Sequence, residues 1–262
     1  MLNIPHQTRK PFKQHFITDA FFEARFNSAI TTNWEELKTK LDPHLESIGH
    51  ATINFLNTFS INFPPIKDEK APKVAEQVAQ STSVITGLIF QNSTSSLIAT
   101  LFSDKLVLHS KEYVSFESFL NHYESLISIL EMYAKIKLDI NWIGIRKVNR
   151  LTVQSSDQIY QGQGFNENFF GILRNGNVKN SSFVSAENRY VFNENAKTLI
   201  MNIKSSKNIN NDFEIALDLD MNIAKAFKDL TDLKREATEL NNSVYDVFCW
   251  TISGDLKDSL EK

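Results

Sequence analysis

Three short segments place ionisable side chains on alternate residues. In an extended chain such side chains share one face, because the strand period is two. The first is Asp19-Ala-Phe-Phe-Glu-Ala-Arg-Phe26, with Glu23 beside Arg25 on the face opposite Ala20, Phe22, Ala24 and Phe26. The second is Ile143-Gly-Ile-Arg-Lys-Val-Asn-Arg-Leu151, where Arg146 and Arg150 share a face with Gly144 and Val148, while Ile143, Ile145, Lys147, Asn149 and Leu151 point the other way. The third is Phe213-Glu-Ile-Ala-Leu-Asp-Leu-Asp-Met221, with Glu214, Asp218 and Asp220 opposite Phe213, Ile215, Leu217 and Leu219. Arginines on one strand, aspartates on another and both signs on the first are complementary. Cross-strand pairing of such charges stabilises by roughly 0.2–1 kcal/mol each. One chemistry of the set is therefore a salt-bridge network on a sheet face. Another is a polar binding surface, in which Arg25, Arg146 and Arg150 with Glu23 take a ligand, the arginines forking onto phosphate or carboxylate. Asp218 and Asp220 are weak metal candidates: two carboxylates on one face can share Mg²⁺, with Glu23 assisting.

Other sources of chemistry are sparse. The single cysteine, Cys249, lies in the apolar run VFCWTI, where a buried packing thiol is expected, and it rules out an intramolecular disulfide. The six histidines are scattered and have no Cys partners at zinc spacing. His109 at a strand end and His122 beside Tyr123 read as ordinary surface or satisfied residues. Gln161-Gly-Gln-Gly-Phe165 has two glycines but lacks the third glycine and the strand–turn–helix setting of a phosphate loop. Arg9, Lys10 and Lys13 form a short basic arm, expected to be solvated. No nucleophile–base motif stands out, and no cofactor is expected.

Composition agrees with a globular chain: 262 residues, 42% apolar, 23% charged, net charge −3. That charge exerts no global pull toward nucleic acid or anionic lipid. No stretch approaches the roughly 20 apolar residues of a membrane span, and the N-terminus has no signal-like apolar core. A soluble, cytoplasmic protein is expected. The wealth of Asn, Lys, Ile and Ser suggests an AT-rich bacterial genome.

The elements that must position the charges follow from periodicity. Strands are expected at 19–26, 52–63, 87–91, 97–102, 105–109, 141–153, 180–186, 189–192, 198–204 and 213–221. A helix begins after Asn33, with Glu36 completing a capping box; Trp34, Leu37, Leu41, Leu45 and Ile48 form its apolar stripe and Gly49 its stop. Ser115 caps a second helix, whose buried face runs from Phe116 to Ile136. A long third helix over 231–253 turns Leu233, Ala237, Leu240, Val244 and Phe248 inward and ends at a left-handed Gly254, with a short helix to follow. Pro64 to Ser83 reads as a mobile surface loop. The class is α+β: a largely antiparallel sheet in two halves, each backed by one or two long helices. The halves are 1–155 and 156–262, within one continuous globular unit.

The order of these motifs resembles a sporadically distributed bacterial and archaeal family of conserved hypothetical proteins. It resembles it in an opening strand of the form E-x-R-F (Glu23-Ala-Arg-Phe26) and a middle strand like R-I-G-L-R-Y-I-N-R-I (Ile143 to Leu151). A late strand like L-D-I-D (Leu217-Asp-Leu-Asp220), a terminal helix, and Tyr113 and Phe116 ahead of the second helix complete the likeness. Lys147 stands where the family pattern has an aromatic, so the strand is expected to leave the core there with Lys147 snorkelling. The family brings no catalytic residues to transfer. Its scattered distribution is that of mobile-element or defence genes.

Three functions follow as expectations. The first is a non-catalytic binding or regulatory protein, an accessory component of a bacterial defence or toxin–antitoxin system, with a protein partner or homo-oligomer. The second is a metal-dependent enzyme acting on nucleotides through the Arg/Asp cluster. The third is a sensor that binds a nucleotide or small anionic ligand at the same arginines.

Overall fold

The computed structural model describes residues 4, 6–7, 16–62, 80–137, 139–153, 164–166, 169, 185–207, 212–252 and 254–261. Among these residues nine strands form one antiparallel sheet: β1 (Ile17–Phe26), β2 (Thr52–Asn62), β3 (Gln80–Gln91), β4 (Leu97–Phe102), β5 (Lys105–Ser110), β6 (Ile140–Val153), β7 (Ser185–Glu194), β8 (Lys197–Lys207) and β9 (Phe213–Ala224). Their spatial order is β2-β3-β4-β5-β1-β6-β9-β8-β7. The class is α+β, as expected. The helices are α1 (Trp34–Leu45), α2 (Phe116–Tyr133), α3 (Leu230–Thr251) and α4 (Gly254–Glu261), with a 3-10 turn at Glu46–Ile48. The first strand lies mid-sheet, hydrogen-bonded to β5 on one side and β6 on the other. The expected boundary at 155–156 lies outside the described residues, but β6 and β9, from either side of it, pair from Trp142 to Val153, along the whole of β9.

Alternation decides which sheet face is covered. Ala20, Phe22, Ala24 and Phe26 of β1 are buried together with Ile143, Ile145 and Leu151 of β6 and Phe213 to Ile223 of β9 at every second residue. The three long helices lay their apolar stripes on that face. Leu37, Leu41 and Leu45 are the buried stripe of α1. Phe116, Phe119, Leu120, Tyr123, Ile127 and Leu130 serve α2, and Leu233, Ala237, Leu240, Val244 and Phe248 serve α3. Cys249 is buried, as its setting requires. Among the described residues, no helix is long and apolar enough to cross a membrane.

Local chemistry sets the ends. The Asn33 side chain accepts from the backbone N–H groups of Glu35 and Glu36, and Ser115 accepts from that of Ser118. Gly49 turns the chain out of the 3-10 turn with φ of 84°. Four expectations need correction. Glu36 does not complete a capping box; its carboxylate meets Lys40 at 2.6 Å, one helical turn on. Gly254 does not end α3 in the left-handed region: Ile252 takes an extended conformation instead, and Gly254 opens α4. Residues 80–83, assigned to a loop, extend β3, because Ser81 to Ser83 find register partners in Phe59 to Ile61. The two strands expected within 180–192 are one strand from Ser185 on, since Glu187 and Asn188 pair with β8 rather than turning; residues 180–184 lie outside the described residues, as do 63–79.

Candidate functional site: the open sheet face

The opposite face of the sheet carries the ionisable positions, and none of the three long helices covers it. Arg25, Arg146 and Arg150 are each about half exposed there. Register builds the surface row by row. Phe21 lies between His109 on β5 and Arg146 on β6; Arg146 lies opposite Asp220 on β9; and Asp220 lies opposite Ile200 on β8. The next positions along β6 and β9 place Val148 opposite Asp218 and Arg150 opposite Ala216.

The side chains then pair diagonally. Arg146 donates through Nε and Nη2 to both oxygens of Asp218, each at 2.8 Å. Arg150 donates through Nη1 to Glu214 at 2.6 Å. Arg25 donates to Glu23 at 2.7 Å, and Lys105 approaches the same carboxylate at 3.7 Å. His109 Nε2 meets Asp19 at 2.9 Å. Aromatic rings tile the gaps. The imidazole of His109 stacks on Phe21 at 4.2 Å with planes 10° apart, and the Arg146 guanidinium covers the same ring at 5.4 Å. Arg25 lies over the Trp142 indole at 4.1 Å. That indole can lie flat because residue 144 is glycine: a Cβ there would collide with its six-membered ring.

The six residues expected to act together, Glu23, Arg25, Arg146, Arg150, Asp218 and Asp220, are thus brought onto one face of three adjacent strands. The pKa shifts carry the same message. The hydrogen bonds to Asp218 hold the Arg146 guanidinium more firmly protonated than usual, with Asp220 and Asp19 adding to the effect. Burial pushes the Asp220 carboxyl up, against the pull of Arg146 and with Asp218 and Glu23 adding their repulsion. Burial also pulls upward on Asp19, but bonds from His109 and Thr18 and the charge of Arg150 outweigh it and hold that carboxyl below its ordinary range.

The Asp218 carboxylate is spanned by an arginine fork rather than presented to a cation. Among the described residues, no three His, Cys, Asp or Glu side chains are grouped to hold a metal ion. The basic arm at Arg9, Lys10 and Lys13, and residues 161–163 of the glycine loop, lie outside the described residues; Phe165 bridges Ile252 in antiparallel fashion.

Sequence reasoning misplaced Lys147. The strand does not leave the core beyond it, because Asn149 and Leu151 are buried. Lys147 stays under the helices, donating to Tyr113 Oη at 3.0 Å and Asn241 Oδ1 at 2.7 Å, with its ammonium 4.5 Å from the Tyr113 ring. Partners far away in sequence make the partly buried cation tolerable. Phe21, His109 and Trp142, which complete the open face, were missed as site residues; the signal was their parity with Glu23 and Arg146, legible only once the strand order is known. No family model matches the chain, and no curated protein is similar to it.

Proposed function

We propose that this is a non-catalytic binding or regulatory protein whose partner is another protein chain, docking on the open sheet face with Arg25, Arg146, Arg150 and Glu23 among the polar contacts. We read the two sequence halves as giving the face one side each, β1, β5 and β6 from the first and β8 and β9 from the second. The role that suits such a surface is that of an accessory component in a bacterial defence or toxin–antitoxin system.

One observation carries the reading: the face is charged, yet already neutralised. Each of the three arginines has its carboxylate, so a covering partner need not desolvate a lone charge, which would cost several kcal/mol. Between the pairs stand Phe21, Trp142, Val107, Val148 and Ile200, partly exposed apolar surface on a sheet face that a solvated protein normally makes polar. Nine strands at about 4.8 Å spacing and roughly 25 Å long present on the order of 1,000 Å², against about 800 Å² per partner in a standard interface.

The test is site-specific photo-crosslinking in the native cell. A crosslinker at Ile200 or Val107 is expected to give an adduct of discrete mass that disappears with Arg146→Glu, whereas one at Glu131, on α2, gives none. An adduct at twice the chain mass identifies a second copy as the partner. Absence of a discrete adduct from the open face, or equal yields from both faces, overturns the proposal.

The row of His109, Phe21 and Arg146 supports a second reading, in which a nucleotide's phosphate meets the arginine beside the aromatic stack. A rise in melting temperature with nucleotide, lost in Arg146→Ala, would favour that reading.

A further inference from the structure

On the helix-covered side of the sheet, away from the proposed docking face, an open cleft of about 430 Å³ lies between the N-terminal half of α2, the β3–β4 turn and the segment following β5. Its size is that of a small-molecule site. The side chains of Ser110, Glu112, Ser118 and Asn121 make no hydrogen bond to other described residues, and all four face the cleft. Among the described residues neither lysine nor arginine lines it, so a phosphate or sulfate finds no counter-charge from them. Leu97 and the exposed Val114 supply the apolar part of the wall, with the largely buried rings of Tyr113 and Phe119 behind them.

His122 fixes the hydrogen-bonding sense of the floor. Its Nε2 lies 2.7 Å from Nε2 of His50, a residue 2% exposed whose Nδ1 is buried without a partner among the described residues. A buried N–H without an acceptor is rarer in proteins than an unused acceptor. The favoured tautomers therefore put the proton on His50 Nε2, donating to His122, and leave His122 with Nδ1–H. Burial holds both rings neutral, with His50 pushed down to about 4. His122 thus offers the cleft a neutral donor, beside serine hydroxyls that donate or accept, an amide that does both and a carboxylate that accepts.

We infer that this cleft binds an uncharged polyhydroxylated ligand of sugar type, whose hydroxyls meet Ser118, Asn121, His122 and Glu112 and whose C–H surface rests on Leu97 and Val114. The paired donors and acceptors match alternating hydroxyls, and the lack of cationic side chains selects against phosphorylated forms. A second cleft of about 470 Å³ shares Ser47, Ile48, Asn121 and Ser125 with the first, so the groove continues along α1 and α2 far enough for more than one ring.

The test is a titration of the ¹⁵N-labelled full chain with glucose, N-acetylglucosamine and ribose, with inorganic phosphate and methylammonium as charged comparators. At least one polyol is expected to shift the amides of Ser118, Asn121 and His122 to saturation, and Asn121→Leu is expected to weaken that binding about tenfold or more. Asn121 is an exposed position, so the variant keeps the fold, checked by an unchanged melting temperature. Imidazole ¹⁵N shifts should report His122 in its Nδ1–H form. The inference is overturned if no polyol saturates these amides, if a charged comparator binds as tightly, or if Asn121→Leu binds unchanged.

Discussion

Arg146 bypasses the residue directly opposite it, Asp220, and forks onto Asp218, the next position along that face of β9. Arg150 leans the same way, past Ala216 to Glu214. The shared lean leaves two neighbouring aspartates in different states. Asp218 is spanned by a guanidinium, whereas the Asp220 carboxyl is pushed up by burial. Asp218→Asn should therefore destabilise, by less than about 1 kcal/mol because Arg146 is half exposed, and the loss should shrink in high salt. Asp220→Asn should be neutral or stabilising at neutral pH. An Asp whose folded pKa is raised favours the folded state below its unfolded pKa and loses that advantage as pH rises through the folded one, so removing its charge helps at pH 7. Urea denaturation of both variants at two ionic strengths checks the opposed signs.

Lys147 and Asn241 should show strong non-additivity. Asn241 is fully buried, its Oδ1 takes the ammonium, and its Nδ2 has no partner among the described residues. Lys147→Met strands the amide entirely and should cost about 1–3 kcal/mol. The double change Lys147→Met with Asn241→Leu removes both polar groups and should recover most of that loss. A double-mutant cycle by chemical denaturation reads the coupling; simple additivity would mean the contact contributes nothing.

Tyr123 offers a substitution that should stabilise. It is fully buried, its ring packs edge-on against Phe22 at 4.5 Å, and its hydroxyl has no partner among the described residues. Burial pushes the phenol well above its ordinary pKa. Tyr123→Phe keeps the ring and removes the stranded hydroxyl, so a gain of about 1 kcal/mol is expected. Tyr123→Leu also discards the aromatic contact and should destabilise. Melting temperatures of the pair decide the matter.

The His50–His122 contact should make stability fall with acid. Burial lowers His50 to about 4, with His122 adding to the effect, and burial lowers His122 as well. A histidine with a depressed folded pKa favours the fold fully above the unfolded value of about 6.5, and the advantage shrinks as pH falls toward the folded value. The loss between about pH 6.5 and 4 should be on the order of 2–3 kcal/mol, and His50→Gln should flatten the profile across that window. An unchanged slope in the variant would refute the assignment.

Much of the fold was legible because hydrophobic alternation and cap chemistry are local. Leu97–Phe102 stands where expected, and β1, β5, β6 and β9 match to within a few residues at each end. The caps Asn33 and Ser115 and the inward stripes of α1 to α3 also follow from spacing alone. The errors at Glu36, Gly254 and residues 80–83 share a cause: each local signal met a stronger partner elsewhere, a lysine one turn on, a helix that follows at once, or a neighbouring strand.

The sequence by itself determined which charges share a face, since strand parity needs no neighbours. Strand order decided the rest. Placing β1 between β5 and β6, and β9 beyond β6, aligned the three charged strands and slid His109, Phe21 and Trp142 between the ion pairs. Only the tertiary structure could put the three long helices of the described residues on the side opposite the ionic face, or bring His50 to His122 across 72 residues. Contacts between strands and helices far apart in the chain depend on global packing, and periodicity within one segment carries no record of it.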